Sequence, residues 1–111
     1  MKYRYYYKKD TRKCLQTVRR LIESGRIRIS DIVTIRGNFN DHKWYRLTIR
    51  TKTEQLQFTG LSWFYFGTGS LGLQQVLRWL LVPSAYQKAV LDVKYQGDTY
   101  QPNCFVICFE K

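Results

Sequence analysis

The sequence is poor in acidic residues and in the residue types from which catalytic and metal sites are built. It has eight Asp and Glu against 19 Lys and Arg, a single histidine, and three cysteines with no Cys-x-x-Cys pair. Metal sites need clusters of Cys, His or carboxylate ligands, and acid–base or nucleophilic catalysis needs such groups to converge. No familiar spacing brings them together, so we predict a non-enzymatic protein without bound metal or cofactor.

Long apolar runs are also lacking. No stretch approaches the ~18 residues of a membrane span, and the basic, tyrosine-rich start does not resemble a secretory signal. Three cysteines are an odd number and form no disulfide framework. With 111 residues the chain fits one domain. We therefore expect a single soluble, cytoplasmic domain whose cysteines are reduced and act as small apolar core residues.

Positive charge is in excess and lies mainly in the first half of the chain. The first 50 residues hold 14 of the 19 Lys and Arg with four acids, whereas the remainder holds five bases and four acids. Such a field raises the local concentration of anions and speeds their association. The asymmetry favours a polyanionic partner, either nucleic acid or an acidic protein surface. A basic face that only keeps the protein in solution is the alternative.

The first 25 residues predict a strand followed by an amphipathic helix. Residues 2–8 alternate with the two-residue period of a strand. Asp10 or Thr11 can cap a helix N-terminus, and Gly25 can end the helix. Between them the apolar side chains follow helical spacing within one arc, so that bases line the opposite, outer side.

The middle of the chain predicts an antiparallel meander. Residues 27–58 hold short β-branched and alternating stretches, interrupted by a turn signal that begins at Gly37. After this turn, residues 43–51 alternate between apolar side chains and a face that presents arginines.

The second half predicts a further helix and three more strands. Residues 61–66 form a short aromatic strand, and residues 71–82 form a helix with Ser70 as its cap. Two strands are predicted over residues 88–95 and 103–109. The order of elements predicts an α+β domain, in which two helices pack on an antiparallel sheet of about five to six strands.

The second predicted helix is apolar nearly all round. Its core stripe leaves Leu71, Trp79 and Val82 on the other side. A helix of this kind is either covered on both sides or needs a partner. We therefore predict an interface at Leu71, Trp79 and Val82, with a second copy of the chain or with another protein.

A glycine-rich loop precedes that helix. Gly67, Thr68, Gly69 and Ser70 stand between a predicted strand and a helix, where backbone N–H groups can approach an anion at the helix N-terminus. The loop departs from the Walker A and dinucleotide-binding patterns, because no Gly-Lys-Ser/Thr follows and no suitable acid stands about 20 positions on. Two interpretations remain open: a site for a phosphate or nucleotide, and a tight turn whose glycines relieve steric strain.

The segment from Gly60 to Leu73 resembles a motif of small uncharacterised phage, plasmid and bacterial proteins. In that motif a Trp-Gly-Tyr-x-Gly-x-Gly-Pro segment precedes a Leu-rich helix. The matching residues here are Trp63, Tyr65, Gly67, Gly69 and Leu73. Phe64 and Phe66 replace small residues, and Ser70 stands where proline is usual, so that any ligand pocket is narrowed or remodelled. The resemblance implies a phage-like or mobile-element accessory protein.

Bases and aromatic residues interleave in the first half of the chain. Aromatic rings stack on nucleobases while Lys and Arg neutralise phosphates, and a sheet that carries both is a recurrent way to hold single-stranded nucleic acid. The residues predicted to contact phosphates are Arg4, Lys8, Arg12, Arg19, Arg20, Arg46 and Arg50. Tyr6 and Trp44 are predicted to stack on bases. This choice takes Tyr3, Tyr5 and Tyr7 as the inward face of the first strand, and the alternation alone leaves open which of its two faces is buried.

The sequence therefore favours a basic module that binds nucleic acid, without preference between RNA and DNA. The alternative is a phage-like effector that binds a host protein complex, or that sequesters a nucleotide at the loop of residues 67–72.

Overall fold

Three helices and five strands make up the described part of the chain, which comprises residues 1–39, 42, 44–97 and 103–109 of this computed structural model. In chain order they are β1 (Lys2–Tyr6), α1 (Thr11–Glu23), β2 (Ile32–Phe39), β3 (Tyr45–Thr51), β4 (Glu54–Phe58), α2 (Thr68–Trp79), α3 (Ser84–Ala89) and β5 (Phe105–Cys108). The predicted α+β class is confirmed, with three described helices in place of two. None of these described helices is long and apolar enough to cross a membrane.

The sheet is mixed, with strand order β1-β4-β3-β2-β5. The meander β2-β3-β4 is antiparallel, as predicted, and β5 runs antiparallel to β2. The edge strand β1 runs parallel to β4, with Lys2 opposite Glu54 and Tyr6 opposite Phe58. The prediction of a purely antiparallel sheet is wrong here, because the alternation of a strand does not encode which neighbour it pairs with or in which direction.

The helices and the sheet share one core on one side of the sheet. Ile35, Ile49 and Leu56 are fully buried in the same apolar cluster as Val18 of α1 and Leu77 of α2. Burial of such side chains is the main favourable term in folding. The opposite face of the sheet contributes no residue to this cluster.

The ends of α1 follow the predicted signals. A side-chain oxygen of Asp10 accepts a hydrogen bond from the Lys13 N–H at 2.7 Å, which satisfies one of the free donors of the first turn. Gly25 has φ +81° just beyond the helix, a conformation that costs glycine little. Both ends were therefore predictable from local chemistry.

The second half departs from the predicted strands. Residues 61–66 form no strand, because the Phe64 N–H donates to the Val90 carbonyl at 2.7 Å and the Trp63 indole donates to the Asn103 carbonyl at 2.8 Å. Residues 88–95 hold the end of α3 and a short 3₁₀ turn over Val93–Tyr95. Leu61, Trp63, Phe64 and Val90 fill the core from outside the strands, whereas Phe66 and Val93 are exposed.

The end of α2 explains why Val82 is not an interface residue. Leu81 adopts φ +58°, and the Val82 N–H donates to the Leu77 carbonyl at 3.0 Å. These are the features of a Schellman turn, which folds the second residue beyond the helix cap back onto the last turn. Val82 is consequently 2% exposed, and the prediction of an interface there is wrong. Of the other predicted interface residues, Leu71 is exposed and Trp79 half-buried.

The three cysteines lie in two different environments. Cys14 is buried in the core, whereas Cys104 and Cys108 are exposed, so that the predicted core role holds for one thiol of the three. Burial raises the pKa of the Cys14 thiol to about 12, and the nearby Lys8 ammonium acts in the opposite direction.

We therefore predict that two thiols react rapidly with a disulfide reagent in the native protein and the third reacts only on unfolding. A Cys14→Ala variant should lose the slow thiol and keep both fast ones. Because the folded state holds the Cys14 proton, the contribution of this thiol to stability should fall as the pH rises above about 9. Equal reaction rates for all three thiols would contradict the assignment.

Candidate nucleic-acid interface

The face of the sheet turned away from the helices is polar and basic, and we call it the open face. The strand register places every second side chain on it, so that Arg36 lies opposite Thr48 and Asn38 lies opposite Arg46. The members of the open face are Tyr3, Tyr5, Thr34, Arg36, Asn38, Arg46, Thr48, Arg50, Gln55, Gln57, Val106 and Cys108. No acidic residue is among these members.

Three arginines lie on two neighbouring strands of the open face. Arg46 and Arg50 belong to β3, as predicted, and Arg36 belongs to β2. The Arg46 Nε donates to the Asn38 side-chain oxygen at 3.3 Å, and Arg50 is exposed. Arginines on adjacent strands, with no carboxylate among the described residues of the same face, produce a local positive potential that attracts anions.

The five described acids lie outside the open face, and four of them pair with bases. Glu54 accepts from both Arg4 and Arg26 at 2.9 Å on the helix side of β4. The Glu23 carboxylate lies 2.9 Å from Arg19 on the exposed surface of α1. These pairs leave the arginines of the open face without neutralising partners among the described ion pairs.

Exposed tyrosines form a row along the edge strand β1 and its extension. Tyr3, Tyr5 and Tyr7 are 58%, 57% and 54% exposed. The rings of Tyr5 and Tyr7 have centroids 5.8 Å apart, and the Tyr7 hydroxyl donates to the Gln57 side-chain oxygen at 3.4 Å. The row therefore forms the β1 edge of the open face and presents aromatic surface to solvent.

The predicted orientation of the first strand is wrong. Tyr6 lies beside Phe58 in the register, and its ring stacks on that of Phe58 with centroids 5.2 Å apart. Arg4 shares this side and is held by Glu54, while Lys8 is half-buried near Cys14. These three predicted contact residues point toward the helix layer, because the apolar side of β4 attracts the tyrosine that can pack on it.

The bases of α1 form a second surface. Arg12, Arg19 and Arg20 are exposed on the helix, which covers the opposite side of the sheet from the open face. The predicted contact residues therefore divide between two sides of the molecule. Trp44, the predicted stacking residue, is 65% exposed and directly precedes β3.

Sequence reasoning missed Arg36. The turn signal at Gly37 predicts that the strand ends near Ile35. In the structure, β2 continues through Gly37 to Phe39. The signal that could have found Arg36 is the alternation of Ile35, Gly37 and Phe39 with polar residues between them. The predicted turn continued to Asn40 and Asp41, which lie outside the described residues.

Three buried polar atoms at the centre of the open face have no hydrogen-bond partner among the described residues. They are the Thr34 Oγ1, the Arg36 Nε and the Thr48 Oγ1. Thr48 is only 1% exposed, and it lies between the longer residues Arg36 and Gln57 in the strand register. Most buried polar groups in folded proteins are satisfied, so three orphaned atoms on two adjacent strands need a physical explanation.

The glycine-rich loop packs closely against its surroundings. Gly67 is the N-cap of α2, and a Cβ at Gly69 would lie 2.3 Å from the Ser62 hydroxyl oxygen. Ser70 is fully buried within the first turn of α2, and Thr68 is exposed. Close approach of the backbone accounts for Gly69, which favours the tight-turn interpretation. Anion binding at this loop stays a prediction.

Within the described ranges, no three or more His, Cys, Asp and Glu side chains are grouped so as to hold a metal ion. Compared with protein-family models, curated proteins and solved structures, the chain shows no significant match. The open face is the basic side of the described sheet that is not covered by the helices.

Proposed function

We propose that the protein binds single-stranded nucleic acid on the open face. The observation that carries this proposal is one basic sheet face that combines Arg36, Arg46 and Arg50 with a row of exposed tyrosines along its β1 edge. Guanidinium groups neutralise phosphates and aromatic rings stack on nucleobases, and neither contact requires a particular sequence. No acid is among the described residues of the face, so those residues do not repel a polyanion.

The spacing of the strands suits a strand of nucleotides. Neighbouring strands lie about 4.8 Å apart, so the tyrosine row on β1 stands about 10 Å from β3 and about 14 Å from β2. Phosphates over β2 and β3 would leave the bases directed toward β1. Gln55 of β4 lies between the two regions, is half-buried, and offers an amide donor and acceptor to a base edge. A duplex hides the faces of its bases, so a single strand is the better fit.

The direct test is fluorescence anisotropy with labelled 15-nucleotide single-stranded DNA and RNA and with a duplex of the same sequence. The affinity should fall as salt rises, with a slope of log K against log salt of about −0.7 for each neutralised phosphate. Three arginines predict a slope of about −2. Absence of binding near ~50 mM salt, or an affinity that does not change with salt, would overturn the proposal.

Charge reversal on the two basic surfaces locates the site. We expect Arg46→Glu with Arg50→Glu to weaken binding more than tenfold, because these variants place negative charge on the open face. The matched control, Arg19→Glu with Arg20→Glu, changes the net charge equally on α1 and should weaken binding about threefold or less. A larger loss in the α1 variant would move the interface from the sheet to the helix.

A further inference from the structure

We infer that the centre of the open face seats one phosphate group of the bound strand between Thr34, Arg36 and Thr48. The inference rests on the proposed function, and it assigns one specific contact within that surface. It starts from the three orphaned atoms rather than from the overall charge.

The orphaned atoms share one chemical property, which is that each can donate a hydrogen bond. Arg36 Nε can only donate, and the hydroxyls of Thr34 and Thr48 can rotate to donate. Phosphate oxygens are acceptors only, and they form strong charge-assisted bonds with guanidinium groups. The edge of a nucleobase instead mixes donors and acceptors, so it matches a set of three neighbouring donors less well.

The strand register brings these donors together. Arg36 and Thr48 lie directly opposite each other, and Thr34 precedes Arg36 by two residues on the same face. Arg46 and Arg50 flank Thr48 on β3 by the same two-residue spacing, so that a phosphate at this position lies among three guanidinium groups. The neutral hydroxyls would add directional bonds to this charge.

The free protein keeps these atoms covered. A phosphate reaches the Thr48 hydroxyl when the long side chains around it move aside, a rotamer change that is common at interfaces. Leaving a buried donor unsatisfied is unfavourable in the free protein. Binding of a phosphate would relieve this cost. For this reason the hydroxyls should contribute more to the affinity of the complex than to the stability of the fold.

The test compares the effect of the Thr48 hydroxyl on stability with its effect on binding, which we expect to differ in sign. Thr48→Val keeps the shape and removes the hydroxyl. We expect the midpoint of thermal unfolding to stay unchanged or rise, and the affinity for a 15-nucleotide single strand to fall at least fivefold. Thr53→Val, an exposed threonine outside the open face, is the control and should change neither quantity. A lower unfolding midpoint for Thr48→Val would show that the fold already satisfies the hydroxyl, and would overturn the inference.

Arg36→Lys gives an independent readout, because lysine keeps the charge and loses the Nε donor. We expect weaker binding with an unchanged salt slope. If the wild-type protein binds and both Thr48→Val and Arg36→Lys bind equally well, the phosphate seat is wrong while the proposed function stands. If the wild-type protein does not bind, the proposed function itself fails.

Oligonucleotides with a single methylphosphonate linkage identify the ligand group, since that linkage lacks the charged phosphate oxygen. In a series of 15-nucleotide strands that bind in one register, each strand carries the methylphosphonate at a different linkage. We expect wild-type binding to be weakened most by the substitution at one linkage. The same linkage should have a smaller effect on Thr48→Val, because the partner hydroxyl is already absent. Equal effects in both proteins at every linkage would overturn the seat.

Discussion

Replacing Trp63 with alanine is expected to lower the free energy of unfolding by about 3–5 kcal/mol, the usual cost of removing a large aromatic side chain from a core. Trp63 is fully buried. Its ring centroid lies 4.7 Å from that of Tyr45 and 5.1 Å from that of Phe105, both in edge-on geometry. The indole N–H also donates to the Asn103 carbonyl, which ties the approach to β5 to the aromatic cluster.

Two variants give this prediction its controls. Trp63→Phe keeps most of the ring and loses the hydrogen bond, so we expect a loss of about 1–2 kcal/mol. Trp44→Ala removes a tryptophan that is 65% exposed and should change stability by about 0.5 kcal/mol or less. Urea unfolding followed by circular dichroism measures all three without depending on tryptophan fluorescence. Equal small losses for Trp63→Ala and Trp44→Ala would contradict the core assignment.

Gly37→Ala is expected to cost about 2–3 kcal/mol of unfolding free energy through overpacking. A Cβ at Gly37 would lie 2.1 Å from the Phe105 ring, which crosses β2 at this position. The ring cannot retreat freely, because Trp63 and Phe64 pack against it with centroids 5.1 Å and 6.1 Å away. A glycine in the middle of a strand is thus explained by close approach of a side chain from the next strand.

A double-mutant cycle isolates this contact. A Phe105→Ala background removes the ring atoms nearest to the added methyl group, so the further substitution Gly37→Ala should cost less than about 1 kcal/mol. The coupling energy between the two sites, measured by urea unfolding, should therefore be about 1–2 kcal/mol. If Gly37→Ala costs the same in both backgrounds, the clash is not the reason for the glycine.

The Gly37 site also bears on the open face. Gly37 lies between Arg36 and Asn38 in β2, whose side chains point to the opposite side of the sheet. A displacement of β2 at this point would move the Arg36 guanidinium relative to Thr48. The packing of the aromatic cluster therefore supports the geometry of the proposed phosphate seat from beneath.

Local patterns were sufficient for several elements. The alternation of β3 predicted that Arg46 and Arg50 share a face, and the capping chemistry of Asp10 and Gly25 predicted both ends of α1. These features depend on residues a few positions apart, and the physics that produces them acts within one strand or one helical turn. The α+β class followed from the order of such segments.

The function of the faces depended on long-range contacts. An alternating strand has two sides, and its period does not state which side is buried. Tyr6 faces inward because its ring stacks on that of Phe58, 52 residues along the chain. Gly37 has the composition of a turn residue, but the pairing of β2 with β5 places it within a strand, opposite Phe105. The composition shows only that basic residues are in excess. In the fold they are divided between two surfaces, because α1 and the open face lie on opposite sides of the sheet. Whether a residue is buried depends on what packs against it. The sequence pattern shows which residues share a face of a strand, but not which face another element covers.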